Sequence, residues 1–186
     1  DLHVRSRRQR QMCIRDSSGM GKNTEIVSAF LISEKANGSL SEILSGQVWR
    51  IITPIFLHFG ILHLLFNMFW LHDFGGQIEK RKGSGFISLF ILVTAIVSNL
   101  TQFKFGGPMF GGMSGVVYGL LGYVWIKSRF DPGDGLYISQ NTALFMLAWF
   151  FLCFANVFPG VANWAHAGGL VTGAVWGYIS AVRWNR

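Results

Sequence analysis

The sequence predicts an all-α fold, a polytopic bundle of membrane helices, and three observations support this class. First, 51% of the 186 residues are hydrophobic and only 13% are charged, a balance that does not suit a soluble domain with a charged surface. Second, the chain contains five apolar runs close to the length that crosses a bilayer. Third, basic residues are concentrated in alternate loops. The five predicted spans are residues 55–75, 86–102, 112–126, 141–158 and 163–182.

The N-terminal segment is predicted to lie outside this fold. Residues 11–17 read QMCIRDS, which back-translates to the mosaic-end adapter of transposase-based sequencing libraries. We interpret residues 1–17 as read-through from that adapter, to be excluded from fold reasoning, with a disordered basic cytoplasmic tail as the alternative. Residues 18–46 are interpreted as the remnant of an upstream region and the first outer loop.

Positive charge in short loops marks the cytoplasmic side of a membrane protein. The loops after the first, third and fifth spans carry Lys80, Arg81, Lys82, Lys127, Arg129, Arg183 and Arg186. The opposite loops carry only Lys104, so the third and fifth spans begin at the outer face. Because five spans leave residues 34–50 outside, a cytoplasmic N-terminus would need one more helix upstream, and we expect that helix to be missing.

The third span is unusually short and begins with a serine between glycines. Residues 112–126 would form about 22 Å of helix, whereas the hydrocarbon core is about 30 Å thick. Its outer end is therefore predicted to start below the membrane surface, preceded by irregular backbone over residues 103–111. Such backbone is tolerated only beside protein or a water-filled cavity, which places Ser114 where water could reach it.

Polar side chains within the spans are candidates for function. His63 and Asn67 are four residues apart and share a helix face, while His58 belongs to the entry of that span. His72 is interpreted as interfacial or structural. A metal or haem site formed by His58, His63 and His166 is an alternative, although the helical angles scatter these ligands.

Two stripes of small residues begin beside Ser114 and His166. Gly115, Gly119 and Gly122 follow the serine, and Gly169, Gly173 and Gly177 follow the histidine. Such stripes let two helices approach closely, and packing alone is one explanation for them. With His63 and Asn67, these spans would supply a nucleophile, a general base and oxyanion donors, the groups required for acyl transfer.

Other classes of protein fit poorly. The order around Ser114 is not that of an α/β-hydrolase elbow, because Val occupies position 116 and no sheet is predicted. Residues 1–22 account for +4 of the formal charge of +7, so the charge does not indicate a nucleic-acid partner. Cys13 and Cys153 form neither a disulfide framework nor a zinc-binding spacing.

Taken with their spacing, these residues resemble the rhomboid family of intramembrane serine proteases. The matching motifs are Trp49-Arg50, HxxxxHxxxN at 58–67, GGxxExR at 75–81, GPxFGGxSG at 107–115 followed by Tyr118, and AHxxGxxxG at 165–173. The resemblance covers residues 47–186, which we expect to form a rhomboid membrane protease domain. It implies a bundle in which five helices are present and the first of the family's six core helices is truncated.

The resemblance implies catalytic roles for the residues that match. Ser114 would be the nucleophile and His166 its general base, with Tyr118 holding the ring of the base in place of a carboxylate. His63, Asn67 and the backbone N–H of Ser114 would stabilise the oxyanion.

Further positions correspond to supporting parts of the family's site. Gly111 and Gly112 would bring loop backbone close to the scissile bond, and Ser98 and Gln102 would retain water. Phe145 and Trp149 would form the substrate gate, with residues 158–162 as the loop over the site. Two residues depart from the family pattern: Pro54 stands where a histidine is frequent, and Trp164 stands where close relatives have a small residue.

The resemblance predicts a serine endopeptidase that cleaves peptide bonds in or near transmembrane segments of other membrane proteins. It implies no metal or organic cofactor, a bacterial inner-membrane location, and an active site that opens to the outer face. The partners would be transmembrane substrates and the lipid bilayer, with no nucleic acid. A non-catalytic rhomboid-like membrane binder, or a fragment inactivated by loss of the first helix, is the alternative.

Overall fold

The computed structural model describes residues 24–34, 39–58, 60–158 and 160–184. Every regular element within these ranges is helical and none is a strand, so the predicted all-α class is confirmed. The predicted adapter segment, residues 1–17, lies outside the described residues, as do residues 18–23 and 35–38 of the predicted outer region.

Eight α-helices follow one another in the described part of the chain. They are α1 (Thr24–Phe30), α2 (Ser41–Leu44), α3 (Ile61–Trp70), α4 (Gly76–Lys82), α5 (Ser84–Gly106), α6 (Ser114–Phe130), α7 (Gln140–Phe154) and α8 (Asn163–Trp184). A π-helical turn, Leu71–Gly75, joins α3 to α4. Two 3₁₀ turns, Val48–Ile51 and Thr53–Phe56, precede α3.

Helices occupy all five predicted spans, but two of the predicted boundaries are wrong. The first span was expected from residue 55, yet α3 begins at Ile61 because Thr53–Phe56 forms a 3₁₀ turn and Gly60 has a φ of 131°. The fourth was expected to reach residue 158, yet α7 ends at Phe154. Asn156 has a φ of 59°, a left-handed conformation that does not continue an α-helix.

The backbone before Ser114 is irregular over a shorter range than expected. We predicted residues 103–111, but α5 continues to Gly106 and ends where Gly107 has a φ of 89°. The helix that follows is also longer than predicted: α6 has 17 residues. Its length of about 25 Å remains below the thickness of a hydrocarbon core.

α6 lies at the centre of the bundle, and every residue from Gly115 to Val124 is buried. Its glycines face those of α8. A Cβ atom added at Gly169 would overlap the carbonyl of Gly115, and one added at Gly173 would overlap the carbonyl of Gly119. The two stripes therefore bring the backbones of α6 and α8 into direct contact.

The exterior is largely apolar, with many exposed leucine, valine and aromatic side chains on α3, α5, α7 and α8. Among the described residues, one helix is both long and apolar enough to cross a membrane by length and composition: α5, with a mean hydropathy of 1.9. α7 is a shorter apolar helix.

Candidate active site

The first residue of α6 and the first turn of α8 meet inside the bundle. Ser114 Oγ lies 2.8 Å from His166 Nε2, a hydrogen-bond distance. His166 is only 4% exposed. Both side chains project from helix starts that the Gly115–Gly169 contact holds together. The serine and histidine of the two sequence motifs therefore form a pair in space.

Tyr118 packs against the histidine of this pair. Its ring centroid is 4.6 Å from that of His166, with the planes inclined by 35°. The Tyr118 hydroxyl donates a hydrogen bond to the carbonyl of Met146 on α7, at 3.1 Å. The tyrosine is therefore fixed at both ends, and its ring restricts how the imidazole can tilt. Within the described chain, Nδ1 of His166 is buried without a hydrogen-bond partner.

His63 and Asn67 face the same space from α3. Asn67 Nδ2 donates to the backbone carbonyl of His63 at 2.9 Å. The His63 ring packs edge-on against His58, with 5.2 Å between centroids. His58 lies before the helix, as predicted, but its ring reaches the predicted oxyanion side chain.

The loop before Ser114 is held by a backbone hydrogen bond from outside it. The N–H of Gly112 donates to the carbonyl of Pro54 at 2.9 Å. Gly112 has a φ of 121°, and a Cβ atom there would lie 2.6 Å from the His63 ring. Glycine at this position thus permits both a left-handed backbone and close contact with the imidazole.

A cavity of about 480 Å³ joins these groups. Residues of α3, α6, α7 and α8 line it, and the Ser114–His166 pair is among them. The predicted site residues that line it are His63, Asn67, Gly111, Ser114, Tyr118, Phe145, Trp149 and His166, together with residues 160–162 of the predicted loop. Leu62, Phe66 and Trp70 complete the α3 wall; the sequence offered no signal beyond apolarity for them.

The two side chains predicted to retain water, Ser98 and Gln102, are not among the residues that line this cavity. The Ser98 hydroxyl donates to the carbonyl of Ala95 in its own helix at 3.2 Å. The Gln102 side-chain carbonyl accepts the N–H of Ala165 at 3.1 Å. Gln102 thus caps the start of α8, immediately before His166.

The predicted gate residues differ in how they are held. Phe145, on α7, is 52% exposed. Trp149 stacks on Phe158 with 4.8 Å between centroids, which joins the helix to the loop that follows it. Trp164, which departs from the family pattern, packs between Phe105 at the end of α5 and Phe154 at the end of α7, and it remains 39% exposed.

The alternative of a metal ion held by all three of His58, His63 and His166 is not matched by the geometry of the described residues. No group of three or more His, Cys, Asp or Glu side chains in the described ranges is arranged to hold a metal ion. Of the three histidines considered, His166 directs its Nε2 at Ser114.

A helical membrane bundle with a serine–histidine pair lining a cavity between its helices defines the class of this protein. The Rhomboid domain family model matches residues 45–183. The chain belongs to the rhomboid family and is an integral membrane protein.

Named relatives agree with this assignment. The chain is 40% identical over 141 residues to the Rhomboid protease GlpG of Salmonella paratyphi A, covering 75% of this chain and 51% of that protein. It is 41% identical to the protein of the same name from Salmonella choleraesuis, with the same coverage. The chain spans about half the length of the curated relatives that it matches.

Proposed function

We propose that this chain carries the catalytic site of an intramembrane serine endopeptidase. The observation that carries the proposal is the 2.8 Å separation of Ser114 Oγ and His166 Nε2, which both belong to residues that line one cavity of the bundle. A serine hydroxyl is a weak nucleophile unless an adjacent base accepts its proton. Among the residues that the structure describes, His166 is the one side chain within hydrogen-bond distance of Ser114 Oγ.

The proposed reaction begins when Ser114 Oγ attacks the scissile carbonyl carbon and its proton passes to His166 Nε2. The tetrahedral intermediate collapses as His166 returns the proton to the leaving amine, which leaves an acyl-enzyme. Water then attacks the ester, and His166 again removes and returns a proton. Tyr118 maintains the plane of the imidazole throughout, the task that a carboxylate performs in a triad.

The negative charge of the intermediate would form beside His63, Asn67 and the N–H of Ser114. These donors come from two helices and face one cavity, so little rearrangement is needed when charge develops. Asn67 exchanges its hydrogen bond to the His63 carbonyl for one to the oxyanion. Gly111 and Gly112 allow the substrate backbone to lie against the loop.

The substrates proposed are transmembrane segments of other proteins. The α3 and α7 sides of the cavity are lined by apolar side chains that include Phe145 and Trp149, and a substrate helix that entered between these two helices would displace them. A helix hides its carbonyls in its own hydrogen bonds, so segments that unwind readily, with small residues at the cut, are preferred. Ser98 and Gln102 are proposed to keep water close to the pair.

The proposed setting is a bacterial inner membrane. The loops that carry the basic residues face the cytoplasm under the positive-inside rule, so Ser114 and His166 lie toward the outer face. The two relatives named above, which carry the protease name, come from Salmonella.

The nucleophile is tested by labelling the protein in membranes with a fluorophosphonate, which modifies activated serines. We expect the wild type to label and Ser114→Ala to remain unlabelled. His166→Ala is expected to lose cleavage of a model transmembrane substrate by about a thousandfold or more, because the serine loses its base.

Ser128→Ala is the matched control, because Ser128 is a serine at the opposite end of α6 whose hydroxyl donates to the carbonyl of Trp125. It is expected to label like the wild type. Labelling of Ser114→Ala at the wild-type rate would refute the assignment of the nucleophile, and an unlabelled wild type would favour a non-catalytic rhomboid-like binder.

A further inference from the structure

Asn99 is a fully buried amide on the side of α5 that faces the outer loop, and it is only 2% exposed. Its Nδ2 donates to the carbonyl of Ile51 at 2.8 Å and approaches that of Ile52 at 3.4 Å. A polar side chain inside a membrane bundle is costly unless it is hydrogen-bonded. Asn99 is not among the site residues predicted from the sequence, and neither the proposed reaction nor the cavity lining includes it.

The carbonyl that Asn99 binds lacks its usual backbone partner. In a 3₁₀ turn each carbonyl accepts from the N–H three residues later. For Ile51 that residue is Pro54, which has no N–H. The two 3₁₀ turns, Val48–Ile51 and Thr53–Phe56, therefore meet at a carbonyl for which the turns supply no backbone donor. Asn99 supplies the missing donor from another helix.

The same proline connects this junction to the nucleophile. Its carbonyl accepts the N–H of Gly112 at 2.9 Å, two residues before Ser114. Gly112 is in turn confined against the ring of His63. A series of contacts thus runs from Asn99 on α5 to the junction of the two turns. It continues from Pro54 to Gly112, whose backbone lies close to both Ser114 and His63.

We propose that Asn99 is a positioning residue for the Ser114 site: by replacing the N–H that Pro54 lacks, it holds the turn whose carbonyl fixes Gly112. The inference rests on the proposed function. Without the Asn99 donor, the Ile51 carbonyl loses its hydrogen-bond partner in the protein, and the turn moves to find another. Gly112 then shifts with Pro54, and the geometry of Ser114 relative to the oxyanion donors is lost.

The test compares the second-order rate constant of fluorophosphonate labelling with the final fraction labelled. Asn99→Leu keeps a similar size but removes the donor. We expect its rate constant to fall by about tenfold or more, while the final labelled fraction stays close to that of the wild type. For a transmembrane substrate, kcat should fall with little change in KM, because the reacting groups and not the entry path are disturbed.

Two further variants address the mechanism directly. Pro54→Ala restores a backbone N–H that can bind the Ile51 carbonyl, so it should recover part of the labelling rate when added to Asn99→Leu. Asn99→Asp donates only when its carboxyl is protonated, so its rate relative to the wild type should rise as pH falls. Because Asp has the size of Asn, this variant also serves if Asn99→Leu does not fold.

The matched control is Thr94→Val. Thr94 is a buried residue of the same helix whose hydroxyl has no hydrogen-bond partner among the described residues, and valine keeps its shape. Its rate constant should equal that of the wild type. Suppose that the wild type labels but the Asn99 variants have unchanged rate constants, or show only a smaller folded fraction. Either result overturns this inference and leaves the proposed function intact. A wild type that does not label overturns the proposed function, and this inference with it.

Discussion

Gly112 combines two constraints that differ in origin. Its φ of 121° lies in the left-handed region, where a side chain strains the backbone. In addition, a Cβ atom would lie 2.6 Å from the ring of His63, closer than real Cβ contacts. The first constraint is local, and the second exists because α3 packs against the loop. Only the second connects this glycine to the predicted oxyanion donor.

Gly112→Ala is therefore expected to reduce the rate of Ser114 labelling in the folded protein, in addition to any loss caused by a smaller folded fraction. The backbone strain is of order 1–3 kcal/mol, while displacement of His63 should lower the labelling rate by about a hundredfold.

Gly60→Ala is the control for Gly112→Ala, because Gly60 has a similar φ of 131° and nothing within 4 Å of an added Cβ. Both rates are measured on protein that has been checked for folding. Equal labelling losses in the two variants would contradict a role for the contact with His63.

The contact between α6 and α8 depends on the absence of side chains. At Gly173 an added Cβ would overlap the carbonyl, the carbonyl carbon and the Cα of Gly119. These are backbone atoms in the middle of a helix and cannot rotate away. The stripe on α8 is thus required for packing, which explains its spacing. The same contact at Gly169 and Gly115 holds the starts of both helices, where His166 and Ser114 lie.

Gly173→Ala is expected to lower the free energy of unfolding by about 1–3 kcal/mol, because the helices must separate to admit the methyl group. The measurement is unfolding in mixed micelles with increasing denaturing detergent.

Gly76→Ala provides the comparison, since Gly76 is also helical but an added Cβ meets nothing within 4 Å. It should leave stability unchanged or raise it by up to about 1 kcal/mol, as expected from helix propensity alone. A Gly173→Ala protein as stable as the Gly76→Ala protein would show that the two helices are not held at this distance.

An ion-pair cluster joins three parts of the molecule at the end opposite the site. Lys127 of α6 is fully buried and contacts Asp131 and Asp134, with 2.9 Å to the latter. Lys82, at the end of α4, lies 2.7 Å from Asp134. The cluster pairs two cations with two anions. It fixes the turn between α6 and α7 against α4, and thereby the start of the helix that carries Phe145 and Trp149.

Asp134→Asn tests the ion-pair cluster through the pH dependence of the free energy of unfolding. Burial alone would raise the pKa of Asp134, but hydrogen bonds from Lys82 and Lys127 outweigh it and hold the pKa below the ordinary value of 3.8. A lowered pKa means that the stabilisation is present above that ordinary value and is lost as pH falls through the folded-state pKa. We expect Asp134→Asn to be less stable by about 1.5–3 kcal/mol at neutral pH. The difference from the wild type should shrink below about pH 3.8.

The control is Asp73→Asn, because Asp73 is an exposed aspartate with one long contact, 3.4 Å, to Gln77. It should stay within about 0.5 kcal/mol of the wild type. A constant difference between Asp134→Asn and the wild type across the acid range would contradict the assigned ion pairs.

The class of fold and the members of the candidate pair were accessible from the sequence alone. A bilayer requires long apolar helices, so composition and run length predict the helices without knowledge of their contacts. The serine and histidine stand out because they are polar groups beside glycine stripes. The predicted start of the first span and the predicted end of the fourth were wrong. Thr53–Phe56 and Asn156 adopt backbone conformations other than the α-helix within sequence that stays apolar.

By itself, the sequence determined that the chain forms helices in a membrane and which polar side chains they carry. Only the tertiary structure decided which hydrogen bonds hold the site. In these bonds the Gly112 N–H donates to the Pro54 carbonyl, the Asn99 amide to the Ile51 carbonyl, and the Tyr118 hydroxyl to the Met146 carbonyl. The physical reason is that each of these bonds uses a backbone carbonyl. Every residue has one, so its partner cannot be read from residue type and depends on which helices come together.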